Sequence, residues 1–284
     1  MQADVINQIV LPLGLFLIMF SLGTTLTAGQ FIRVLTEPRA IFIGLFCQLL
    51  MLPAITLLLL KLFPLESQLA LGFIILSLCP GGSTSNIFTF LARGDTALSV
   101  SLTAINSLVI PITLPSMFAI ISAYQFDSEI LITLPAFKLV VSLILLSGIP
   151  IVLGMGLRIY KPLIAAKIER PSSVASIVFL FMIITLIVVQ NQQMVVDNFS
   201  GIIGFTLIFN LLSIAFGFAV ARAVRLEISR CKSIAIETGF QNGTLAILIS
   251  VTLLEAPRLA IAATFYSLVM FVTGAAFSWL VRKH

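Results

Sequence analysis

Runs of about 20 predominantly apolar residues succeed one another with only short polar junctions, a pattern that admits few folds. A helix of that length matches the hydrocarbon thickness of a bilayer, where every backbone polar group must be paired within the protein. Nine such spans can be cut at charges and turn residues, at about 6–26, 39–60, 69–92, 96–122, 135–157, 174–194, 200–221, 232–254 and 259–281. The expected fold is an all-α polytopic membrane protein of nine transmembrane helices, one integral membrane unit over residues 1–284. Composition agrees: 60% of residues are hydrophobic and 10% charged, against about a quarter charged in a soluble domain. The first apolar run lacks the basic flank of a signal peptide, and no junction has room for a soluble domain.

Charge then orients the chain. Of the 16 Lys and Arg residues, 13 fall on the side where the odd-numbered spans end: Arg33, Arg39, Arg93, Arg158, Lys161, Lys167, Arg170, Arg222, Arg225, Arg230, Lys232, Arg282 and Lys283. The other side holds Lys61, Lys138 and Arg258 beside several acidic residues. The positive-inside rule places the N-terminus outside and the C-terminus in the cytoplasm. The net charge of +5 is thereby a matter of topology, and no nucleic-acid partner is expected. Short loops without targeting signals favour a bacterial inner membrane. Cys47, Cys79 and Cys231 have unrelated spacings in apolar surroundings and read as small buried hydrophobes. The one histidine, His284, ends the chain, so His-based metal sites and catalytic triads are not expected.

Two spans are interrupted in a way that a simple crossing does not need. Cys79-Pro80-Gly81-Gly82-Ser83-Thr84-Ser85-Asn86 breaks the third, and Glu237-Thr238-Gly239-Phe240-Gln241-Asn242-Gly243 breaks the eighth. Proline removes an N–H and the glycines loosen the backbone. Irregular backbone at membrane depth is tolerated only where protein buries it or where it lines a cavity. The broken span is third in spans one to four and third again in spans six to nine, and the two sets begin on opposite sides. That is the layout of an inverted-topology repeat with two broken, crossing helices. Counted from the cytoplasmic end, both breaks lie roughly 8–18 Å deep. Gln48 reaches the same level, as do Ser99 and Thr103, which lie four apart on one helical face.

Glu237 is the one carboxylate well inside a span. A charged residue at a helix centre costs about 2.5–3.5 kcal/mol even on lenient scales and marks a functional site by default. No Lys or Arg lies at its depth, which leaves a metal ion or a proton as its partner. The hydroxyl, amide and carbonyl oxygens at that level are hard, neutral ligands, suited to an alkali cation. Taken singly, each has a plainer reading. Ser99 or Thr103 could bond its own i−4 carbonyl, Gln48 could join helices, and Pro80-Gly81-Gly82 could be a packing kink. Their convergence on a carboxylate favours the functional reading.

The residues Leu78 to Asn86, Leu91 to Asp95, Ala97 to Thr103 and Ile236 to Asn242 resemble the bile acid:sodium symporter family, as do Phe31 to Val34 and Gln48 to Pro53. The likeness extends over most of the chain and is to the family's nine-span form. It implies a core bundle carrying two crossing broken helices, here about 39–122 and 200–281, and a panel bundle, here about 6–26 and 135–194. It implies two Na⁺ sites: one from Ser85, Asn86, Ser99, Thr103 and Glu237, the other from Gln48, Glu237, Gln241 and the carbonyls of Thr238 and Phe240. Ser83 and Asn242 match positions that face the organic substrate in relatives. The last span departs from the pattern, with Leu268-Val269-Met270-Phe271-Val272 where bile-acid-transporting relatives often carry polar residues, which weighs against bile acid itself as cargo.

The expected function is sodium-coupled import of a small or amphipathic organic anion by alternating access, with no obligate protein partner evident beyond the lipid bilayer. Two Na⁺ around one carboxylate leave a positive excess that an anion neutralises. A proton-coupled organic-acid carrier or an exporter on the same scaffold is the alternative. An enzyme is not expected: Ser83 and Ser85 have no base within reach, and Asp95 stands alone where Mg²⁺-diphosphate chemistry would need several aspartates. A channel would leave Glu237 unexplained.

Overall fold

The computed structural model describes residues 9–82, 84–125 and 136–282. Among them the chain is helical throughout, apart from one isolated antiparallel bridge between Gly81 and Gln241. Helix α1 (Leu11–Thr25) is followed by α2 (Ala28–Thr36), a short helix not expected from the sequence. It starts where it does because Thr27 and Gln30 form a capping box, each side chain satisfying the other's amide. Helix α3 (Pro38–Leu62) contains a π turn at Cys47–Met51, and α7 (Phe137–Tyr160) contains one at Ile144–Gly148. Each π turn directly precedes a proline, Pro53 or Pro150 in the next helical stretch. The missing proline N–H frees a carbonyl in the turn before, and the ladder adjusts there.

Helices α4 (Ser67–Leu78) and α5 (Ser85–Leu91) flank the first interruption. Then come α6 (Thr96–Gln125), α8 (Pro162–Gln190) and α9 (Gln192–Ala223). Helices α10 (Ile228–Gly239) and α11 (Gly243–Leu253) flank the second interruption, and α12 (Ala260–Val281) closes the fold.

Five helices are long and apolar enough to cross a bilayer, and a sixth counts if the bent pair Pro162–Glu169 and Val174–Gln190 within α8 is one crossing. The nine expected spans differ from this count for physical reasons. Spans 69–92 and 232–254 are each split at the predicted interruption, into α4 with α5 and α10 with α11, so neither is one long helix. The first span is represented by the 15 residues of α1, its predicted start lying outside the described residues. The span at 174–194 belongs to a helix that begins at Pro162, because Pro171 is accommodated inside it.

Helix α1 packs against α7 and α8, while α9 packs against α10 and α12. The α1–α7 approach is close because it runs over glycines: a Cβ on Gly23 would overlap the backbone of Ile151, and one on Gly154 the carbonyl of Phe20. Aromatic contacts knit the other group, with Phe73 and Phe205 rings 4.5 Å apart and Phe209 and Tyr266 5.3 Å apart. The outside of the molecule is apolar, with Leu35, Phe42, Phe137, Val152 and Val272 exposed, whereas Gln48, Ser85, Ser99, Thr103, Asn106, Glu237 and Gln241 are buried. An apolar exterior around a polar interior inverts the pattern of a soluble domain, as an integral membrane protein requires.

Candidate functional site

The two interruptions lie back to back. Besides the Gly81–Gln241 bridge, the amide of Asn242 donates to the carbonyl of Pro80 at 2.9 Å, and that of Gly82 to the carbonyl of Phe240 at 3.4 Å. Backbone groups left over from one broken helix are thus satisfied by those of the other. Phe88 of α5 stacks on the buried Phe240 with ring centroids 4.6 Å apart, which seals one flank of the junction.

No glycine in the described residues has a positive φ, so the sequence argument from loosened backbone is not the reason for Gly81. Proximity is. A Cβ on Gly81 would overlap Oε1 of Glu237 and lie 2.9 Å from Nε2 of Gln48. Glycine lets the first interruption press against the carboxylate of the second helix.

Glu237 is 1% exposed, near the C-terminal end of α10. Its Oε2 accepts hydrogen bonds from Ser85 Oγ at 2.7 Å and Ser99 Oγ at 2.8 Å, and its Oε1 from Thr103 Oγ1 at 2.5 Å. Gln48 Nε2 donates to the Glu237 carbonyl at 3.0 Å. Four helices, α3, α5, α6 and α10, therefore meet on one residue. The plainer readings fare differently at each position. Ser99 bonds the carboxylate, whereas Thr103 lies within reach of both the carboxylate and its own i−4 carbonyl, at 3.1 Å. Gln48 does join helices, and it does so at the site.

The donor set can be tested against an alkali cation. A hydroxyl that donates its one proton to a carboxylate keeps lone pairs free for a positive ion. Among the described residues Asn86 Oδ1 and Gln241 Oε1 are buried oxygens without a hydrogen-bond partner, as is Oδ1 of the neighbouring Asn106, and orphaned acceptors gathered around one carboxylate demand an explanation. Among the described residues no group of three or more His, Cys, Asp and Glu is gathered as a transition metal would need. The chemistry on offer is one carboxylate and neutral oxygens, which fits a hard monovalent cation. The carbonyls named from the resemblance are partly engaged: Thr238 accepts from Gln241 Nε2 at 2.9 Å, and Phe240 accepts, among the described residues, the long contact from Gly82.

The substrate-facing candidates divide. Ser83 lies outside the described residues. Asn242 spends its side-chain oxygen on capping α11 through the Leu245 amide at 3.0 Å, and it lines a cavity of ≈ 270 Å³. Gly82, Asn86 and Gln241 share that wall, while Ile18, Leu22 and Leu180 form part of the facing one. Sites that take small molecules are usually largely preformed cavities of this kind.

Sequence reasoning missed Asn106. It is buried, packs its amide against Gln48 Oε1, and continues the Ser99–Thr103 stripe one turn along α6. The spacing of three from Thr103 was a usable signal. Asn210 and Tyr266 were also missed; both donate to the Gly239 carbonyl, at 2.7 and 2.9 Å, and hold the frayed end of α10. Nothing in the sequence distinguished them from other polar residues in spans.

An ionic cluster anchors the site from one end. Arg33 of α2 pairs with both oxygens of Asp95, at 3.0 and 2.8 Å, and with Glu37. Arg230 reaches Glu37 at 3.2 Å, and Asp95 caps α6 through the Leu98 amide at 3.0 Å. Burial raises the Asp95 carboxyl, but the hydrogen bonds from Arg33 and Leu98 and the charges of Arg33 and Arg230 outweigh it and hold it below the usual range. The Asp95 bond in turn holds the Arg33 guanidinium above its ordinary value.

Comparison with known proteins supplies an independent finding. Residues 12–198 match the profile of the Sodium Bile acid symporter family. The chain is 30% identical to the uncharacterized sodium-dependent transporter YocS of Bacillus subtilis over 81% of its own length and 70% of the relative's. It is 30% identical to the ileal sodium/bile acid cotransporter of Oryctolagus cuniculus over 84% of its length and 68% of that protein's. It is 26% identical to the "Probable sodium/metabolite cotransporter BASS1, chloroplastic" of Arabidopsis thaliana, over 95% of its length and 66% of the relative's.

Proposed function

The chain belongs to the sodium bile acid symporter family, and on that premise we propose that it is a sodium-coupled secondary active symporter that imports a small organic anion. The observation that carries this reading is Glu237, bonded by hydroxyls from α5 and α6 while the orphaned oxygens of Asn86 and Gln241 belong to the same two interruptions. One Na⁺ would be held by Ser85, Asn86, Ser99, Thr103 and Glu237. A second would take Gln48, Glu237, Gln241 and the carbonyls of Thr238 and Phe240. With both present the carboxylate is overcompensated by one positive charge, and an anion in the cavity beside Asn86 and Asn242 restores neutrality.

We read the chain as nine crossings in an inverted repeat, N-terminus outside and C-terminus in the cytoplasm of a bacterial inner membrane. The α1, α7 and α8 group acts as the panel and the remaining spans as the core. A half-loaded site carries an uncompensated charge in low dielectric, which opposes its passage between the two faces. The cavity of ≈ 270 Å³ lies below the usual range of about 300–1,000 Å³ for drug-sized ligands. That volume, with the apolar Leu268 to Val272 stretch, favours a small carboxylate over a bile acid.

The test is a thermal-shift screen of small carboxylates on the purified protein, with and without Na⁺, repeated on Glu237→Gln. The expected result is stabilisation by an anion only when Na⁺ is present, and loss of the Na⁺ effect in the variant. Uptake into proteoliposomes that follows a pH gradient and ignores external Na⁺ would overturn it in favour of proton coupling.

A further inference from the structure

Where the α5–α6 junction meets the end of α12 lies a second hollow of ≈ 480 Å³, lined by Phe90, Leu91, Arg93, Gly94, Thr96 and Arg282. Its two arginines come from distant parts of the sequence, one from the α5–α6 junction and one from the end of α12. Neither has an acidic partner among the described residues, where the ion pairs belong to Arg33, Arg158 and Arg230. The carboxylate nearest to Arg93 in sequence, Asp95, is committed to Arg33 and to the Leu98 amide. The charge of Arg93 also reaches Lys232, so a third cation of the same sign adds to the excess.

The backbone at Arg93 belongs to the cap that ends α5, where the Gly94 amide donates to the Thr89 carbonyl at 2.9 Å. Its φ is 56°, the left-handed region where a side chain is strained and glycine or asparagine is at ease. Arginine occupies that position with Gly94 directly after it. Its apolar lining is uncovered, with Phe90 73% exposed, and outside the lining, three and two positions before Arg282, Trp279 and Leu280 are 68% and 61% exposed.

We propose that this hollow binds the phosphate headgroup of an anionic phospholipid, with an acyl chain lying along Phe90 and Trp279. Arginines without an acidic partner among the described residues, at the polar edge of an apolar surface, match a charged headgroup above a hydrocarbon tail, and basic pockets between helices on the cytoplasmic side take such lipids. A free phosphate would use the arginines and leave the apolar wall without a role. The bound lipid would brace the junction between α5, which carries Ser85 and Asn86, and α6, which carries Ser99 and Thr103. The site stands apart from the cation reading and does not depend on it.

Trp279 is the chain's one tryptophan and a built-in reporter. The purified full-length protein in neutral detergent is titrated with phosphatidylglycerol, with phosphatidylcholine and with inorganic phosphate, and tryptophan emission is read. Phosphatidylglycerol gives a saturable change and phosphatidylcholine none. The half-saturation point rises by about tenfold or more in Arg93→Gln/Arg282→Gln, as loss of charge-assisted contacts requires. Lys61→Gln, at the far end of α3, leaves it unchanged. If the double variant does not fold, Arg282→Gln alone decides, with a shift of about threefold or more expected. Equal responses to the two lipids, or unchanged affinity in the arginine variants, overturn the proposal. Saturation by inorganic phosphate at the same concentration assigns the arginines to a free anion and overturns it too.

Discussion

Alanine at Gly81 tests the geometry of the carboxylate most directly. Its backbone lies where alanine is allowed, since no described glycine has a positive φ, so the substitution brings no conformational penalty of its own. The added methyl overlaps Glu237 Oε1 and approaches Glu237 Cδ and Gln48 Nε2, each at 2.9 Å. Neither neighbour is a loose end, because three hydroxyls hold the carboxylate and Gln48 is bonded to the Glu237 carbonyl. Relief therefore means displacing the carboxylate and losing at least one of its bonds. Overpacking costs about 1–3 kcal/mol and a hydrogen bond to a charged group about 1.5–3 kcal/mol. Expressed as sodium affinity, the low end of that range is about tenfold and the high end more than a hundredfold. Gly82→Ala is the control: its methyl would meet the Gln241 carbonyl at 3.2 Å and Thr84 Oγ1 at 3.4 Å, close contacts that a small shift relieves. Sodium titrations of the melting temperature compare the two. Gly81→Ala needs far more Na⁺ for the same stabilisation, and Gly82→Ala stays within about threefold of the parent. Equal sodium dependence in Gly81→Ala and the parent would refute the packing of the first interruption on Glu237.

Three further outcomes follow from the same structure. Glu237→Gln keeps the side-chain volume and removes the charge, so its melting temperature in sodium-free buffer is at least that of the parent and no longer rises with Na⁺; a preserved rise would remove Glu237 from the site. Asn106→Ala leaves Gln48 unsupported, raising the half-point of the sodium titration by roughly three- to tenfold while anion affinity at saturating Na⁺ holds, and a change in anion affinity alone would contradict that role. The Asp95 carboxyl is held below its usual value, so its stabilising pairing is complete above the unfolded pKa of about 3.9 and is lost as pH falls through the lower folded value. Melting temperatures of the parent and Asp95→Asn should therefore keep a constant gap above about pH 5 and converge in more acidic buffer, and a gap that persists at the acid end would mean that Asp95 acts by shape alone.

Sequence legibility followed energetic cost. A carboxylate in an apolar run is expensive, so Glu237 stood out, and the i, i+4 spacing put Ser99 and Thr103 on its level. Pro80 and the polar stretches marked both interruptions because an intact crossing has no use for them. The role of Gly81 was legible in kind and misread in cause: sequence suggests freedom of φ, while the structure uses the missing side chain. The contact of Asn106 with Gln48 spans 58 positions, and the Arg33–Asp95 pair spans 62. Such pairs depend on how helices are placed relative to one another, which periodicity within one helix cannot report. The charge asymmetry is only a count, and it treats Arg33, which is bonded, and Arg93, which has no acidic partner among the described residues, as equals.

The distribution of polar ties constrains the proposed transport cycle. Within the group formed by α3, α5, α6 and α10, the side-chain bonds to Glu237, the Gly81–Gln241 bridge and the Asn242–Pro80 bond would all have to break for one interruption to slide past the other. Breaking several buried polar contacts together is costly, because each group would be left without water as a substitute. Across the cavity the situation differs. Asn86, Gln241 and Asn242 on one wall share the cavity with Ile18, Met19, Leu22, Ile177 and Leu180, interspersed with Thr25, Gln30, Glu169 and Ser176, on the other. The apolar part of that second wall exchanges neighbours without leaving a donor or acceptor unpaired. If the proposed cycle exposes the site alternately, the motion is cheapest along this wall, with Glu237 and both interruptions carried as one body. On this argument a crosslink between the two broken helices leaves transport intact, whereas one from α1 to α11 across the cavity arrests it.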